Sequence, residues 1–497
     1  MKTIKLKAYS TIENKKYGVA KIIITPNDFE DVVFLDNITV LNFDNCQFKK
    51  LIISNESEIN FKDISLHFSH CIIDNIEIES ITSDKISLLF HGCILKGNIK
   101  NSNLKNIKIN NCITPSLFLQ YQNRIEISYT EENIFFSKWK TLLRYSDVKL
   151  AKQIISYKQS IHINNSKNIN VYFNHNRKEK FGVYRSQYEQ IKNLKLRYFL
   201  TKEDKKNLNI NLHINFSKAK DERLKIENCI LNSLSLEGSA NGRISIENTK
   251  INNLFIRDFS SESETLLYNI SPYLTDSKVE VHKSNMDNSW FDNIGFNGYK
   301  ILSFYRTRFA KATFTSCNFP KDSLSFEKFK TLKNIHYPEK KPQNYYKDQY
   351  ETFLQLKKSL ENSGNYFEAQ KLGAISKDSL RKVSSLPFSD KLILCLNSIS
   401  NNHGLSITKP LWWLLAFSVT FYILYLLSID RLFKPTEFDW SLVGHYFSFL
   451  DLTHRKDFLI TKSEYSFSTL FLDFANKIIV GFFIFQFISA FRKYVKK

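Results

Sequence analysis

The fold is decided by two stretches, IENCILNSLSL at Ile226–Leu236 and IENTKINNLFI at Ile246–Ile256. They align without a gap at an offset of 20 residues, and both consist of short strand-like runs of Ile and Leu broken by Asn and Ser. A repeat of this length with no helical periodicity is typical of a solenoid, because a single coil buries its inward residues only by stacking on the next. The sequence therefore predicts a mainly β fold built as a parallel β-solenoid.

A recurring cysteine extends this repeat in both directions along the chain. It follows Asn, His, Gly or Ser, as at Cys46, Cys71, Cys93, Cys112 and Cys317. Cysteine is small and apolar enough to stack inside a ladder of identical positions, and a preceding Asn suits a tight corner because it tolerates left-handed backbone angles. The chain has seven cysteines and no Cys-x-x-Cys pair, which excludes a zinc ribbon and a disulfide framework. A packing role is therefore expected.

The repeat is predicted to cover residues 1–135 and 207–320, with a basic, aromatic insertion at 136–206. Between Arg177 and Lys206, ten Lys or Arg stand against four acids. Cations interleaved with aromatic rings suit a single-stranded nucleic acid, whose phosphates contact Lys and Arg and whose bases stack at about 1–3 kcal/mol each. The candidate ligand-binding residues are Arg177, Lys178, Lys180, Tyr184, Arg185, Tyr188, Lys192 and Arg197. An amphipathic helix docked on the solenoid is the alternative interpretation.

The bulk composition limits the function classes. A length of 497 residues predicts two or three domains, and a net charge of +21 favours nucleic acid, nucleotides or an anionic membrane face as partners. The alternative is that this charge reflects a bias towards Lys and Asn along the whole chain rather than a binding partner. No P-loop, His-Glu-x-x-His or Gly-x-Ser-x-Gly motif occurs, so neither an enzyme nor a cofactor is expected.

Residues 404–497 carry two apolar runs separated by a shorter one. Leu411–Ile429 is free of charged residues and is long enough to cross a hydrocarbon core of about 30 Å, and Phe467–Phe491 is nearly as apolar. Between them lie the apolar span Trp440–Leu450 and the polar segment Asp451–Asp457. This order predicts a two-helix pore-loop domain. Because the polar segment has no glycine, poorly selective conduction is expected.

Ionisable residues inside the second run are the strongest candidates for a role in the pore. Charges at membrane depth are costly unless they are paired or face water. Asp473 and Lys477 are one helical turn apart and are predicted to pair, with Gly481 and Ile484 continuing the same face. The predicted pore residues are Asp451, His454, Arg455, Asp457, Asp473, Lys477, Gly481 and Ile484. The alternative is that the pair lies at the outer interface and the span begins at Ile478.

Residues 321–403 are predicted to form a helical coupling region, with helices at Tyr346–Asn362, Tyr366–Val383 and Leu386–Ser400. Met1–Gly18 lacks the apolar core of a signal peptide, so the N-terminal region is expected in the cytoplasm. Lys409 and the basic C-terminal tail are expected on the same side. These features predict a multi-pass protein of a bacterial inner membrane. Two-helix subunits enclose a pore only around an axis, so a homo-oligomer, a tetramer, is expected.

Parts of this region carry a family resemblance. Leu356–Ala369, Asn401–Ser406 and Lys409–Trp412 resemble the juxtamembrane segment of bacterial pentapeptide-repeat-like proteins with a C-terminal two-helix pore domain, and Gln486–Tyr494 resembles the end of their inner helix. A large, basic, strand-rich head on such a pore resembles the effector family of the Hailong anti-phage defence system. The resemblance implies a channel held closed by single-stranded DNA oligomers that a partner nucleotidyltransferase makes, and growth arrest when it opens.

Two alternatives remain open at the level of sequence. The chain could be a membrane-anchored β-solenoid that serves as an interaction protein. It could also be a pore-forming effector gated by a cyclic nucleotide or a phage protein.

Overall fold

The computed structural model describes the chain in ranges separated by gaps, namely residues 2–4, 11–13, 15–24, 38–44, 46–55, 63–79, 84–100, 104–110, 112–130, 159–174, 210–218, 223–320, 345–431, 440–455, 459 and 466–491. The chain divides into two compact units. The first comprises Met1–Pro320 and Leu324–Asn334, and the second comprises Lys321–Ser323 and Ile335–Lys497.

The first unit is a parallel β-solenoid, which confirms the predicted fold class. In the ranges given above, strands alternate along the chain between two 12-stranded sheets. The first sheet contains β1 (Lys2–Ile4), β3 (Lys16–Ile24), β5 (Gln47–Asn55), β7 (Ile72–Glu79), β9 (Ile94–Ile99), β11 (Ile113–Gln120), β13 (Gln159–Asn164), β15 (Ile210–Ser217), β17 (Ile230–Ala240), β19 (Lys250–Ser261), β21 (Lys278–His282) and β23 (Ile301–Tyr305). The second contains β2 (Thr11–Glu13), β4 (Ile38–Asp44), β6 (Asp63–Ser69), β8 (Ile86–His91), β10 (Asn106–Asn110), β12 (Arg124–Thr130), β14 (Asn168–Asn174), β16 (Arg223–Glu227), β18 (Ile244–Glu247), β20 (Thr265–Tyr268), β22 (Ser289–Asp292) and β24 (Thr313–Thr315).

The 20-residue offset between the two repeat stretches equals the spacing of paired residues on neighbouring strands. Ile226 pairs with Ile246 between β16 and β18, and the parallel pairing of β17 with β19 follows the same offset over its first half. Equivalent inward side chains therefore stack from coil to coil. Phe43, Phe68 and Phe90 form such a ladder, with neighbouring ring centroids 4.9 Å and 5.2 Å apart, close to the strand spacing of about 4.8 Å.

The recurring cysteine closes the corner between the two sheets. The Cys71 thiol donates to the Phe43 carbonyl oxygen at 3.4 Å, and the Cys93 thiol donates to that of Phe68 at 3.1 Å, so each satisfies a carbonyl of the preceding coil. The residue before the cysteine takes a left-handed angle, with φ of 54° at Asn228, as the sequence predicts. Thr249 replaces the cysteine in the second repeat stretch and donates to the Glu247 carbonyl oxygen at 2.8 Å. Cys and Thr at this corner therefore donate to carbonyl oxygens, whereas Ile270 and Ile294 occupy the equivalent position after β20 and β22 as buried apolar side chains.

One coil arises inside the range 136–206 that the sequence assigns to the insertion. Strand β13 pairs with β11 and β15, and β14 pairs with β12 and β16, all in parallel register. The repeat spacing is lost in the sequence here because residues 131–158 and 175–209 separate this coil from its neighbours. The solenoid therefore draws on residues 159–174 as well.

The second unit is helical. Its helices are α1 (Tyr345–Asn362), α2 (Tyr366–Arg381), α3 (Phe388–Asn401), α4 (Thr408–Ser428), α5 (Ser441–Leu450) and α6 (Phe467–Phe491). The predicted helices of the coupling region are confirmed, although α2 ends two residues earlier than expected. Asn365 begins α2 by accepting the Glu368 amide at 3.2 Å, and α1 and α2 bury Leu356 and Leu372.

Helices α4 and α6 are long and apolar enough to cross a membrane. Only 22% and 28%, respectively, of their most apolar windows are buried inside the unit. An apolar helix in the core of a soluble protein is buried on all sides, whereas these two expose large side chains such as Trp412 and Phe474. Both helices therefore carry an extensive exposed apolar surface.

We expect Phe68→Ala to lower the stability of the solenoid by about 3–5 kcal/mol, because the substitution leaves a cavity in a fully buried ladder. The matched control is Phe118→Ala on the outer face, where a third of the side chain is exposed. Thermal unfolding followed by the far-ultraviolet β-sheet signal measures both. Equal shifts for the two variants would contradict the assigned core.

Candidate functional site

The short helix α5 follows α4 in the chain and packs against it. The Tyr422 hydroxyl donates to the Leu442 carbonyl oxygen at 2.6 Å, and the hydroxyls of Ser418 and Tyr446 lie 2.7 Å apart. Phe449 is buried near the end of α5. With 10 residues, α5 spans roughly 15 Å, about half of a hydrocarbon core.

Three ionisable side chains form a compact cluster between α6 and the segment that follows α5. Asp473 Oδ1 lies 2.5 Å from His454 Nε2, and Asp473 Oδ2 lies 3.2 Å from Lys477 Nζ. Lys477 also donates to the His454 carbonyl oxygen at 3.0 Å. The Asp473–Lys477 pair thus forms as the helical spacing predicts. His454 belongs to the same cluster, although no spacing in the sequence indicates this contact.

Both ring nitrogens of His454 lie against oxygen atoms. Nε2 faces the carboxylate of Asp473, and Nδ1 lies 2.5 Å from the carbonyl oxygen of Asp451. The side chains of His454 and Asp473 are only 4% and 9% exposed, so this contact is buried.

Asn476 anchors the end of α5 on the same face of α6. Its Nδ2 donates to the Phe449 carbonyl oxygen at 2.9 Å. That carbonyl belongs to the last turn of α5, where backbone acceptors lack partners within the helix. The buried polar face of α6 therefore holds both the end of α5 and the segment after it. The sequence signal for Asn476 was its polarity within an apolar run.

The remaining predicted pore residues fall into three groups. Asp451 and Arg455 are exposed, and the Asp451 carboxylate caps its own turn by accepting the Thr453 amide at 2.9 Å. On α6, Ile484 is exposed, and a Cβ at Gly481 would meet open space. Asp457 lies outside the described residues. A pore-lining role for this set stays a prediction.

A second polar network joins α3 to the other end of α6. The Asn401 side chain donates to Gln486 Oε1 at 2.5 Å, and Gln486 Nε2 donates to Asn397 Oδ1 at 3.0 Å. Asn401 Oδ1 in turn accepts the Gly404 amide at 2.8 Å. Buried amides are costly without such partners, so this network fixes how α3 meets α6.

The turn between α3 and α4 is tied to α2 by a buried histidine. Asn402, His403 and Gly404 take φ values of 52°, 56° and 91°, and His403 Nε2 lies 3.1 Å from Asp378 Oδ1. Burial raises the pKa of Asp378, but the hydrogen bond and charge of His403 outweigh it, so the pKa lies below its ordinary value. Helices α2, α3, α4 and α6 are therefore connected through one junction.

The predicted ligand-binding residues between Arg177 and Arg197 lie outside the described residues. The described solenoid has an aromatic surface of its own. The rings of Phe118, His162 and His213 stack along the outer face of the first sheet, with neighbouring centroids 4.6 Å apart. Burial lowers the pKa of both histidines, which keeps the stacked rings neutral near pH 7. Sequence reasoning missed this ladder because long segments separate its members.

Cations collect on the same face a few coils further on. The Arg257 guanidinium and the Lys278 ammonium lie 4.6 Å and 4.7 Å from the ring centroid of Phe255. Both also form ion pairs with the buried carboxylate of Glu280. Stacked rings beside cations are the elements that bind nucleobases and phosphates.

No group of three or more His, Cys, Asp or Glu side chains suited to a metal ion occurs in the described ranges. Comparisons with protein-family models, with curated proteins and with solved structures give no match to this chain.

We expect Asp473→Asn to destabilise the helical unit by about 3–5 kcal/mol, because it removes the buried carboxylate that pairs with Lys477 and contacts the His454 ring. Lys477→Met is the matched control. It removes one cation and leaves the His454–Asp473 contact intact, so its effect should be clearly smaller. Thermal unfolding of the detergent-solubilised full chain provides the measurement, and an effect of Lys477→Met equal to or larger than that of Asp473→Asn would contradict the cluster.

Proposed function

We propose that this chain is the subunit of an oligomeric, ligand-gated ion channel in a bacterial inner membrane. The observation that carries the proposal is the buried cluster of Asp473, His454 and Lys477 between an apolar helix and the segment after a half-length helix. Charged groups at membrane depth are found where they face a water-filled path or one another. Here they position the segment that the sequence predicts to line the conduction path.

The chemistry of that segment supports weakly selective conduction. The C-terminal end of α5 carries the negative end of the helix dipole, which stabilises cations. Asp451 and Arg455 are exposed just beyond it. A selective potassium filter uses glycine-containing loops whose carbonyls replace water around the ion, and no glycine lies between Asp451 and Asp457.

Assembly follows from the exposed apolar surface. One subunit supplies two long helices and one short helix, which do not enclose a pore alone. We propose a homotetramer with the solenoid and the C-terminal tail in the cytoplasm. The exposed faces of α4 and α6 would then contact lipid and neighbouring subunits.

Gating would act through the junction of α2, α3, α4 and α6. A ligand shifts an equilibrium only as far as it binds one state better than the other. A solenoid head that binds ligand in the closed state would hold the junction in one arrangement through the coupling helices. The Asn401–Gln486 contact is the direct link between the coupling helices and the second long helix.

The proposed ligand is a single-stranded DNA oligomer made by a partner nucleotidyltransferase, as in the Hailong anti-phage effectors that the sequence resembles. The net charge, the basic tract at Arg177–Arg197 and the stacked rings of the outer solenoid face support a nucleic-acid ligand. Loss of the ligand would open the channel and arrest growth of an infected cell.

We expect Lys477→Glu to change ion selectivity or leak, because it reverses a charge beside the segment that follows α5. Single-channel recording in planar bilayers measures both properties. Lys358→Glu, on the exposed surface of α1, is the charge-matched control and should leave the selectivity of assembled channels unchanged. Wild-type selectivity and conductance in Lys477→Glu would contradict a pore-lining role, and no flux from any activated form would favour a membrane-anchored interaction protein.

We expect joint replacement of Arg177, Lys178, Lys180 and Arg185 by Gln to weaken oligonucleotide binding and to flatten its dependence on salt, because fewer phosphates are neutralised. Fluorescence anisotropy with a labelled DNA oligomer at several salt concentrations provides the measurement. Replacement of Lys105, Lys108, Arg223 and Lys225, which lie in or beside strands of the second sheet, by Gln is a control that removes the same number of charges. Undiminished binding by the fourfold variant would exclude the tract.

A further inference from the structure

An apolar groove with a volume of about 360 Å³ lies among α3, α4 and α6. Leu396, Ile399 and Ser400 line it from α3, Trp413 and Phe417 from α4, and Phe483 and its neighbours from α6. Its volume falls in the range of about 300–1,000 Å³ that is usual for small-molecule sites. Neither the predicted conduction path nor the predicted nucleic-acid surface uses it.

Ser400 is the one polar residue that lines this groove in the described part of the unit. It is 4% exposed, and its hydroxyl has no hydrogen-bond partner in the structure. A buried hydroxyl without a partner loses its hydrogen bonds to water and forms none within the protein. An occupant that brings a hydrogen-bonding group to an otherwise apolar groove would remove this deficit.

A basic residue lies one helical turn from a residue that lines the groove. Lys409 is exposed in the first turn of α4, and it lies one turn before Trp413 and two turns before Phe417 on the same side of the helix. The first turn of a helix favours anions because backbone amides point outward there. The rings of Phe417 and Phe483 stack 5.6 Å apart and join α4 to α6 along the groove.

From this arrangement we propose that the groove binds one acyl chain of a membrane phospholipid, whose phosphate lies beside Lys409. The inference rests on the membrane location proposed above. In a membrane the groove would open to hydrocarbon, because the outer surfaces of α4 and α6 are exposed. The Ser400 hydroxyl is placed to donate to an ester oxygen of the lipid.

The bound chain would contact α3 and α6 at once. Those two helices are also joined by the Asn401–Gln486 hydrogen bond. An occupant that packs against both helices stabilises the arrangement in which they meet and disfavours others. The phospholipid is therefore a regulator of the junction.

The test compares Ile479→Phe, which fills the groove from α6, with Ile423→Phe on the surface of α4 outside the groove. Delipidated full-length protein in detergent is titrated with palmitoyl-oleoyl phosphatidylglycerol, and native mass spectrometry counts the bound lipids. We expect one lipid per subunit in the wild type and in Ile423→Phe, with a rise in melting temperature. Ile479→Phe should bind at least tenfold more weakly and show no such rise.

Lys409→Gln provides a second variant on an exposed residue, where folding is not at risk. It should weaken binding of the same lipid several-fold and leave the unliganded melting temperature unchanged. Equal lipid binding by all variants would overturn the proposal. So would a loss of subunits in Ile479→Phe without a change in lipid binding, which would assign the groove to a second copy of the chain. Failure of the wild-type chain to fractionate with membranes would instead reject the proposed location.

Discussion

Each coil of the solenoid depends on its neighbours, because a single turn of two short strands has an apolar interior that it cannot cover alone. Parallel register aligns equivalent residues, so the same requirement recurs at every level. At the inward positions, rings such as Phe43 and Phe68 stack on one another. At the corners, the thiols of Cys71 and Cys93 donate to a carbonyl oxygen of the coil before them. Packing and this hydrogen bond account for the recurrence of cysteine at the corner.

The helical unit has the reverse distribution of side chains, with apolar residues on its surface and polar residues in its interior. Its long helices expose mainly apolar side chains, while Asp473, Asn476 and Gln486 of α6 are buried and hydrogen-bonded to other segments. Asp473 and Asn476 hold the end of α5 and the segment after it, and Gln486 holds α3. One helix, α6, therefore fixes two separate parts of the unit through polar contacts about three turns apart along its sequence. Any displacement of α6 would change the contacts of both parts.

Sequence reasoning reached the architecture because it follows from local patterns. The offset between the two repeat stretches equals the spacing of paired residues on neighbouring strands. The apolar runs correspond to the observed helices, and the polar breaks correspond to the segments between them. The pairing of Asp473 with Lys477 follows from helical geometry alone. The contacts of His454 and of Asn401 do not, because each joins residues that are distant in sequence and depends on how helices pack. The outer ladder of Phe118, His162 and His213 was not predicted for a related reason. Long segments separate its members in the sequence, so the repeat spacing does not align them.

The continuity of the ladder across those segments has an evolutionary consequence. Strands β11 and β13 pair in regular register although residues 121–158 lie between them, and β13 and β15 do so across residues 165–209. Lengthening a connection adds little to the entropy cost of closing it. The head can thus gain or lose whole segments between coils without any compensating change in its core. Insertions between coils can thus change the surface of the solenoid while the register of its core stays the same.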